Sequence, residues 1–229
     1  MSSVIKATDW RVATVARIVP ETPRAATLTL EIEGWNGHRA GQHLDVRLTA
    51  EDGYRAQRSY SIASAPDAAD PQLTVVEVDQ GEVSQWMVSV AREDDRFEVR
   101  GPFGGWFVAE PGYTGPLFFI GGGSGMVPLM SMVRAGARAR VLVSARDPDD
   151  VLYADELARL DDVIFTYTRW APRGWTGYAR RVDRRMLREV DVAGARIYVC
   201  GPTPFVESVA NDLVALGHDP ALIRTERFG

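Results

Sequence analysis

Cysteine and histidine are scarce in this sequence, which has one cysteine, Cys200, and three histidines, His38, His43 and His218. A single cysteine excludes an intramolecular disulfide and an iron–sulfur cluster held by the usual four cysteines of one chain. The histidines have no metal-ligand spacing, so we predict no metal site. A metal centre that exchanges electrons with this chain would therefore belong to another protein.

Long apolar runs and an excess of basic residues are also missing. No segment reaches the roughly 18 consecutive apolar residues of a membrane span, and the first ten residues, MSSVIKATDW, contain no signal-peptide pattern. The formal net charge of −5 gives no basic footprint for nucleic acid or an anionic membrane. We expect a cytoplasmic protein that binds neither of these. We also expect a monomer.

The apolar residues that are present form two halves of different periodicity. Of the 229 residues 45% are hydrophobic, which is ample for a core. Up to about residue 98, short alternating runs separated by turn residues predict an antiparallel β-barrel or sandwich, with one helix over residues 82–91. After EPGYTG, residues 110–115, strands alternate with helical patterns, which predicts a parallel α/β sheet. We predict two domains, residues 1–112 and 113–229.

The clearest motif of the second half is PLFFIGGGSGMVP, residues 116–128, in which a buried-type strand leads through a glycine loop into a helix. Glycines allow a sharp turn and close approach to a ligand, and a helix N-terminus offers N–H groups to a pyrophosphate. The spacing departs from the dinucleotide fingerprint, because Met126 stands where the third glycine would fall. A dinucleotide site and a turn that only packs strand against helix therefore both remain open.

The next strand of the second half bears on the choice of nucleotide. It ends in Ser144 and is followed by Ala145 and Arg146. An acidic residue near this strand end favours NAD, whereas an arginine favours the 2′-phosphate of NADP. Arg146 thus favours NADPH, and a solvated arginine at a strand end is the alternative.

An unusual strand of the first half is RSYSIAS, residues 58–64, which carries a guanidinium, a phenol and several hydroxyls. Alternation places Arg58 and Tyr60 on one side and Ser61 on the other, so that neither side is a plain core face. A guanidinium can bind phosphate through two hydrogen bonds, and an aromatic ring can cover a flat cofactor. A barrel strand with a surface arginine and a half-buried tyrosine is the alternative.

Taken in order, the motifs of both halves resemble those of the ferredoxin–NADP reductase superfamily, as a reductase without a fused ferredoxin domain. The resemblance covers nearly the whole chain and rests on RSYS (58–61), GEVS (81–84), GPFGGWF (101–107), GGGSGMVP (121–128), CGP (200–202) and ERFG (226–229). It implies an antiparallel β-barrel flavin domain followed by an α/β parallel-sheet domain that binds NADP(H).

On the flavin side, the resemblance implies that Arg58 pairs with a flavin phosphate, Tyr60 packs on the isoalloxazine ring and Ser61 lies near flavin N5. Two phosphate-binding elements, Arg58 and the helix start of GEVS, suit FAD better than FMN. The residues expected to contact FAD are Arg58, Tyr60, Ser61, Gly81, Val83, Ser84 and Phe228, the last shielding the flavin ring. For Ser84, simply beginning the helix is the alternative role.

On the nicotinamide side, the resemblance places Cys200 beside the nicotinamide C4 atom and makes Glu226 the carboxylate near the end of the chain. The expected catalytic residues are Ser61, Cys200 and Glu226. The residues expected to contact NADP are Gly122, Gly123, Ser124, Gly125, Ser144, Arg146, Cys200, Gly201 and Pro202.

These expectations predict an NADPH-dependent flavoenzyme that takes hydride onto FAD and passes electrons singly to a separate carrier such as a ferredoxin. One alternative is an NAD(P)H:flavin reductase that releases reduced flavin. Another is a non-catalytic electron-transfer subunit of a larger complex. The sequence names neither the physiological acceptor nor the net direction of electron flow.

Overall fold

The computed structural model of the chain describes residues 6–110 and 112–228, which divide into two compact units between Val108 and Ala109. In the first unit, antiparallel strands form a six-stranded sheet in the order β4-β3-β6-β1-β2-β5 within this described part. The strands are β1 (Arg11–Thr22), β2 (Ala25–Ile32), β3 (His43–Thr49), β4 (Arg55–Ser61), β5 (Gln72–Val76) and β6 (Arg96–Phe103).

The first unit closes around an apolar core. An antiparallel bridge between Ile62 and Leu73 links the chain just after β4 to β5, so the two edges of the sheet meet. The helix α1 (Glu82–Gln85) continues as a π-helical turn, Trp86–Val90, and together they form the helix predicted over residues 82–91. The buried side chains of Val83 and Met87 pack this helix against the core.

The second unit is a parallel sheet in the order β11-β10-β7-β8-β9 within the described residues. Its strands are β7 (Leu117–Gly122), β8 (Arg140–Ala145), β9 (Val163–Tyr167), β10 (Arg196–Pro202) and β11 (Ile223–Phe228). Its helices are α2 (Met126–Arg134), α3 (Ala154–Leu157), α4 (Arg184–Glu189) and α5 (Thr203–Ala215). The strand order reverses between β7 and β10, and ligands of open α/β sheets bind at the carboxyl ends of strands at such a switch point.

Both predicted architectures, an antiparallel barrel-like unit and a parallel α/β unit, are confirmed. The structure divides after Val108, whereas the sequence prediction places the boundary at residues 112/113. The difference has a physical basis in Glu110, whose carboxylate pairs with Arg196 of β10 and with Arg224 of β11. The start of the predicted linker is therefore attached to the second unit.

One element of the second unit is shorter, and another more regular, than sequence pattern alone indicates. The helical pattern over residues 152–160 yields only the short helix α3. The end of the chain, which would ordinarily be expected to fray, forms β11, and this strand pairs in parallel with β10 along its whole length.

Among residues 6–110 and 112–228, no helix is both long enough and apolar enough to cross a membrane.

Candidate functional site

The strand β4 lies at an edge of the sheet and carries an exposed guanidinium and a half-buried phenol. Its Arg58 and Tyr60 lie opposite Val46 and Leu44 of β3, both fully buried, and directly paired residues share a face of a sheet. Tyr60 packs against the core, and burial raises the pKa of its phenol to about 12 although the charge of Arg58 opposes the rise. The Arg58 guanidinium is exposed and donates to the backbone oxygen of Gln57 at 2.6 Å.

The opposite face of β4 carries the two serines. The hydroxyl of Ser59 donates to the buried carboxylate of Asp45 at 2.6 Å, and Asp45 also accepts from Arg100 Nε at 2.9 Å. The hydroxyl of Ser59 therefore has a structural role, which is to bind the buried Asp45 carboxylate. Ser61 is only 5% exposed, and its Oγ has no hydrogen-bond partner within the described residues. A buried polar group without a partner is costly, so this hydroxyl is suited to a bound ligand.

The start of α1 is a tight turn built around Gly81. A Cβ atom at this position would lie 2.5 Å from Ser84 Oγ and 3.0 Å from the backbone oxygen of Val78. Ser84 Oγ donates to the Gly81 oxygen at 3.0 Å and accepts from Val78 N–H at 3.1 Å, so its hydroxyl holds the turn. Because the Ser84 hydroxyl is already engaged, an anion at this turn would be bound by the backbone N–H groups of the first helical turn.

In the second unit, the glycine loop passes close to the end of β10. A Cβ atom on Gly125 would overlap the backbone carbonyl of Cys200, and one on Gly121 would overlap the side chain of Met126. Gly123 has φ +55°, a left-handed conformation that glycine adopts readily. Only glycine therefore allows the loop to run from β7 into α2 at this distance from β10.

Cys200 and Glu226 lie side by side on the parallel strands β10 and β11. The Cys200 Sγ atom is 4.0 Å from Glu226 Oε2. Burial raises the pKa of Glu226 to about 7, and burial together with the Glu226 carboxylate raises the pKa of the Cys200 thiol well above its ordinary value. Cys200 is therefore a neutral thiol at neutral pH, and Glu226 can gain or lose a proton there.

The end of β8 lies at the same sheet edge, since the register pairs Ser144 with Gly122 of the glycine loop. Arg146 follows two residues later and forms an ion pair with Asp150. One of its two hydrogen bonds joins Arg146 Nη2 to Asp150 Oδ1 at 2.9 Å. The structure thus brings Ser144 to the loop, and the guanidinium of Arg146 is engaged by a neighbouring carboxylate.

Phe205 is a residue of this edge that the sequence analysis did not single out. Its ring is the nearest group to a Cβ built on Gly122, at 3.0 Å, and to one built on Gly201, at 2.9 Å. Phe205 thus lies against both the glycine loop and the CGP segment. Its position in the first turn of α5, directly after CGP, is the sequence signal that points to it.

The predicted site residues fall into two groups, one in each unit. Ser61, Arg58 and Tyr60 all lie on β4 of the first unit. In the second unit the structure brings Cys200 and Glu226 together, with Phe228 two residues further along β11 and opposite Pro202.

Sequence comparison assigns a known domain family to each unit. Residues 14–107 match the oxidoreductase FAD-binding domain family, and residues 119–211 match the oxidoreductase NAD-binding domain family. The chain belongs to the ferredoxin–NADP reductase superfamily. FAD and a nicotinamide dinucleotide are therefore its cofactors.

Among curated proteins, the chain is 31% identical over 207 residues to a glycine betaine monooxygenase reductase subunit of Pseudomonas aeruginosa, covering 83% of this chain and 56% of that protein. It is 31% identical over 218 residues to the NADH oxidoreductase HCR of Escherichia coli, covering 91% of this chain and 65% of that protein. The chain thus spans between about half and two thirds of the length of these relatives.

Among solved structures, the fold is similar to the flavohem-like FAD/NAD binding domain of a nitric oxide dioxygenase from Vibrio cholerae, with a TM-score of 0.84 and 22% identity. The match covers 96% of this chain and 98% of that one. A ferredoxin NADP⁺ reductase from Neisseria gonorrhoeae with bound FAD and NADP has a TM-score of 0.80 at 18% identity, covering 95% and 98%. At this identity the likeness establishes the fold alone.

The residues present fit both cofactors. In the first unit, an unpartnered buried hydroxyl at Ser61, an exposed guanidinium at Arg58 and a half-buried phenol at Tyr60 form a donor set suited to a flavin and its phosphates. In the second unit, the glycine loop and the start of α2 form a backbone cradle whose N–H groups suit a dinucleotide pyrophosphate, and glycine at positions 122 and 125 lets this cradle pack against Phe205 and the Cys200 carbonyl.

Gly125→Ala should disrupt the nucleotide cradle, because the added Cβ overlaps the Cys200 carbonyl, which is backbone and cannot swing away. We expect unfolding in urea to show a loss of about 1 to 3 kcal/mol. Calorimetric titration should show NADP⁺ binding at least about tenfold weaker, equivalent to about 1.4 kcal/mol.

Gly105→Ala is the matched control, since a Cβ there meets nothing within 4 Å. Equal stability and equal NADP⁺ affinity of the two variants would contradict the role of Gly125 in shaping the nucleotide site.

Glu226→Gln should change how stability depends on pH. The folded-state pKa of Glu226 is raised from 4.5 to about 7, so the native state favours the protonated form, and stability falls as the pH rises through this range. The variant lacks this loss, and relative to wild type it should gain up to about 3 kcal/mol between pH 4 and pH 8. Denaturant unfolding at both pH values measures the gain, and a stability difference that is the same at both would refute it.

Proposed function

We propose that this chain is a flavoprotein reductase that takes hydride from a reduced nicotinamide nucleotide onto FAD and passes the electrons to a separate acceptor. The observation that carries the proposal is that one chain holds a fitting site for each cofactor: the polar strand β4 in the first unit, and the glycine cradle beside Cys200 and Glu226 in the second. A protein that bound only one of these cofactors would need only one of the two sites.

In this function, bound FAD supplies the chemistry of accepting a hydride and releasing electrons one at a time. Arg58 binds a phosphate of the cofactor, Tyr60 covers its ring, and Ser61 donates its otherwise unsatisfied hydroxyl to the reactive edge. The neutral thiol of Cys200 borders the nicotinamide without a competing charge. Glu226, with its pKa at about 7, can hold a proton beside that thiol.

The acceptor is proposed to be a separate protein with a metal centre. With its single cysteine, the chain cannot bind a four-cysteine cluster of its own. Among its relatives are reductase or electron-transfer components of oxygenases, including a 2-halobenzoate 1,2-dioxygenase component that is 28% identical over 201 residues. A ferredoxin or an oxygenase component is therefore the proposed class of acceptor.

Two further properties belong to this proposal. We propose a monomer, because both cofactor sites are built from residues of one chain. We propose the cytoplasm as its location, a compartment that keeps a lone thiol such as that of Cys200 reduced.

The purified protein tests the function against the two alternatives. We expect one FAD per chain to survive gel filtration, and ferricyanide to be reduced rapidly at the expense of NADPH or NADH. Rapid turnover of added free flavin, with little bound FAD, would instead identify a flavin reductase. Stoichiometric FAD that neither nucleotide reduces would identify a non-catalytic subunit.

Arg58→Ala should lower the fraction of chains that retain FAD, because a charge-assisted hydrogen bond to phosphate contributes about 1.5 to 3 kcal/mol. Arg55→Ala is a matched control, since Arg55 is another exposed arginine of the same strand. Flavin absorbance per chain after gel filtration measures retention. Equal retention by the two variants would remove Arg58 from the flavin site.

A further inference from the structure

Arg146 is held by Asp150 in a two-pronged ion pair. Its Nε bonds to Asp150 Oδ2, and its Nη2 bonds to Oδ1 at 2.9 Å, which is the planar fork geometry that a guanidinium also offers to a phosphate. The two side chains are 38% and 22% exposed, so the pair is only partly screened by solvent. These fork donors are therefore occupied by a carboxylate of the same chain.

The backbone of Arg146 is fixed at the nucleotide-binding edge of the sheet. Its carbonyl oxygen accepts from Arg169 N–H at 2.9 Å and from Trp170 N–H at 3.2 Å, which ties the end of β8 to the end of β9. The register that pairs Ser144 with Gly122 continues to Thr166 of β9. A nucleotide whose pyrophosphate lies on the glycine loop extends its adenosine ribose toward these neighbouring strand ends.

The segment after β8 carries both residue types that distinguish NADP from NAD. Arg146 is the residue type that favours a 2′-phosphate, whereas Asp147, Asp149 and Asp150 are of the type that favours a free 2′-hydroxyl. Asp147 is committed to the backbone, because its Oδ1 accepts from the N–H groups of Asp149 and Asp150. Asp150 is the carboxylate that contacts the guanidinium.

We propose that Asp150 determines the nucleotide specificity of this chain by withholding the Arg146 guanidinium from the 2′-phosphate of NADPH. A 2′-phosphate must compete with Asp150 for the same donors, whereas the 2′-hydroxyl of NADH needs no such exchange. Arg146 therefore confers no NADPH preference while Asp150 is present. This inference rests on the proposed function, since it names the determinant of the nucleotide that the reductase uses.

The test uses the full-length, FAD-loaded protein and two adenosine probes, adenosine 2′,5′-bisphosphate and adenosine 5′-monophosphate, in calorimetric titrations. Asp150→Asn should bind the bisphosphate about tenfold more tightly than wild type, as expected for one charge-assisted hydrogen bond worth about 1.4 kcal/mol. Binding of the monophosphate should stay within about twofold. The ratio of kcat/KM for NADPH to that for NADH should rise by the same factor.

Asp149→Asn is the matched control, because it removes the same charge from an exposed aspartate next to Asp150. It should change the affinity for the bisphosphate less than about twofold, since an exposed charge in water acts weakly. An equal gain in both variants would reduce the effect to net charge and overturn the proposal.

Arg146→Ala, alone and combined with Asp150→Asn, completes a double-mutant cycle. In the wild-type background it should leave the bisphosphate affinity within about twofold, and in the Asp150→Asn background it should abolish the tenfold gain. A large loss in the wild-type background would show that Arg146 already binds the phosphate, which overturns the proposal. If Asp150→Asn is unstable, this single Arg146 variant decides the question.

Failure of the inference is distinguishable from failure of the proposed function. A wild-type protein whose FAD is reduced by neither NADPH nor NADH would contradict the function, whatever the probes show. A wild-type protein reduced by both, with an unchanged bisphosphate affinity in Asp150→Asn, would contradict the role of Asp150 alone.

Discussion

The close approach of the glycine loop to β10 is the constraint on which the second unit depends. Gly125 lies so near the Cys200 carbonyl that any side chain would overlap it, and this contact joins the strands at the point where the order of the sheet reverses. It brings the loop, the thiol and the Glu226 carboxyl to one edge. The same low-polarity surroundings that keep Cys200 neutral raise the pKa of Glu226 to about 7.

In the first unit, the strand β4 carries polar groups and still packs against the core of the barrel. Tyr60 keeps its ring against the core while Arg58 reaches solvent, and Asp45 satisfies Ser59 on the other face. Ser61 is the exception among these groups, since it is buried without a partner in the described chain. The unsatisfied hydroxyl of Ser61 is thus the observation that motivates the proposal of a cofactor site on β4.

Periodicity predicted both architectures and nearly all strands, because burial on one or both faces leaves a repeating pattern. It did not predict β11, whose polar residues form a strand only because β10 offers an edge for pairing. Motif order singled out the glycine loop, Cys200 and Glu226, which the structure brings to one edge of the sheet. Pairwise contacts such as Asp150 with Arg146 leave no signature that a linear motif reveals, and the position of Phe205 over two glycines depends on tertiary packing.

The central claim is that two cofactor sites in one chain act together in hydride transfer. Anaerobic titration of the FAD-loaded protein with NADPH or NADH, followed by the visible flavin absorbance, tests it most directly. The account predicts complete bleaching at one equivalent of reduced nucleotide per FAD, with recovery on adding ferricyanide. Flavin that stays oxidised in excess nucleotide of either kind would contradict it.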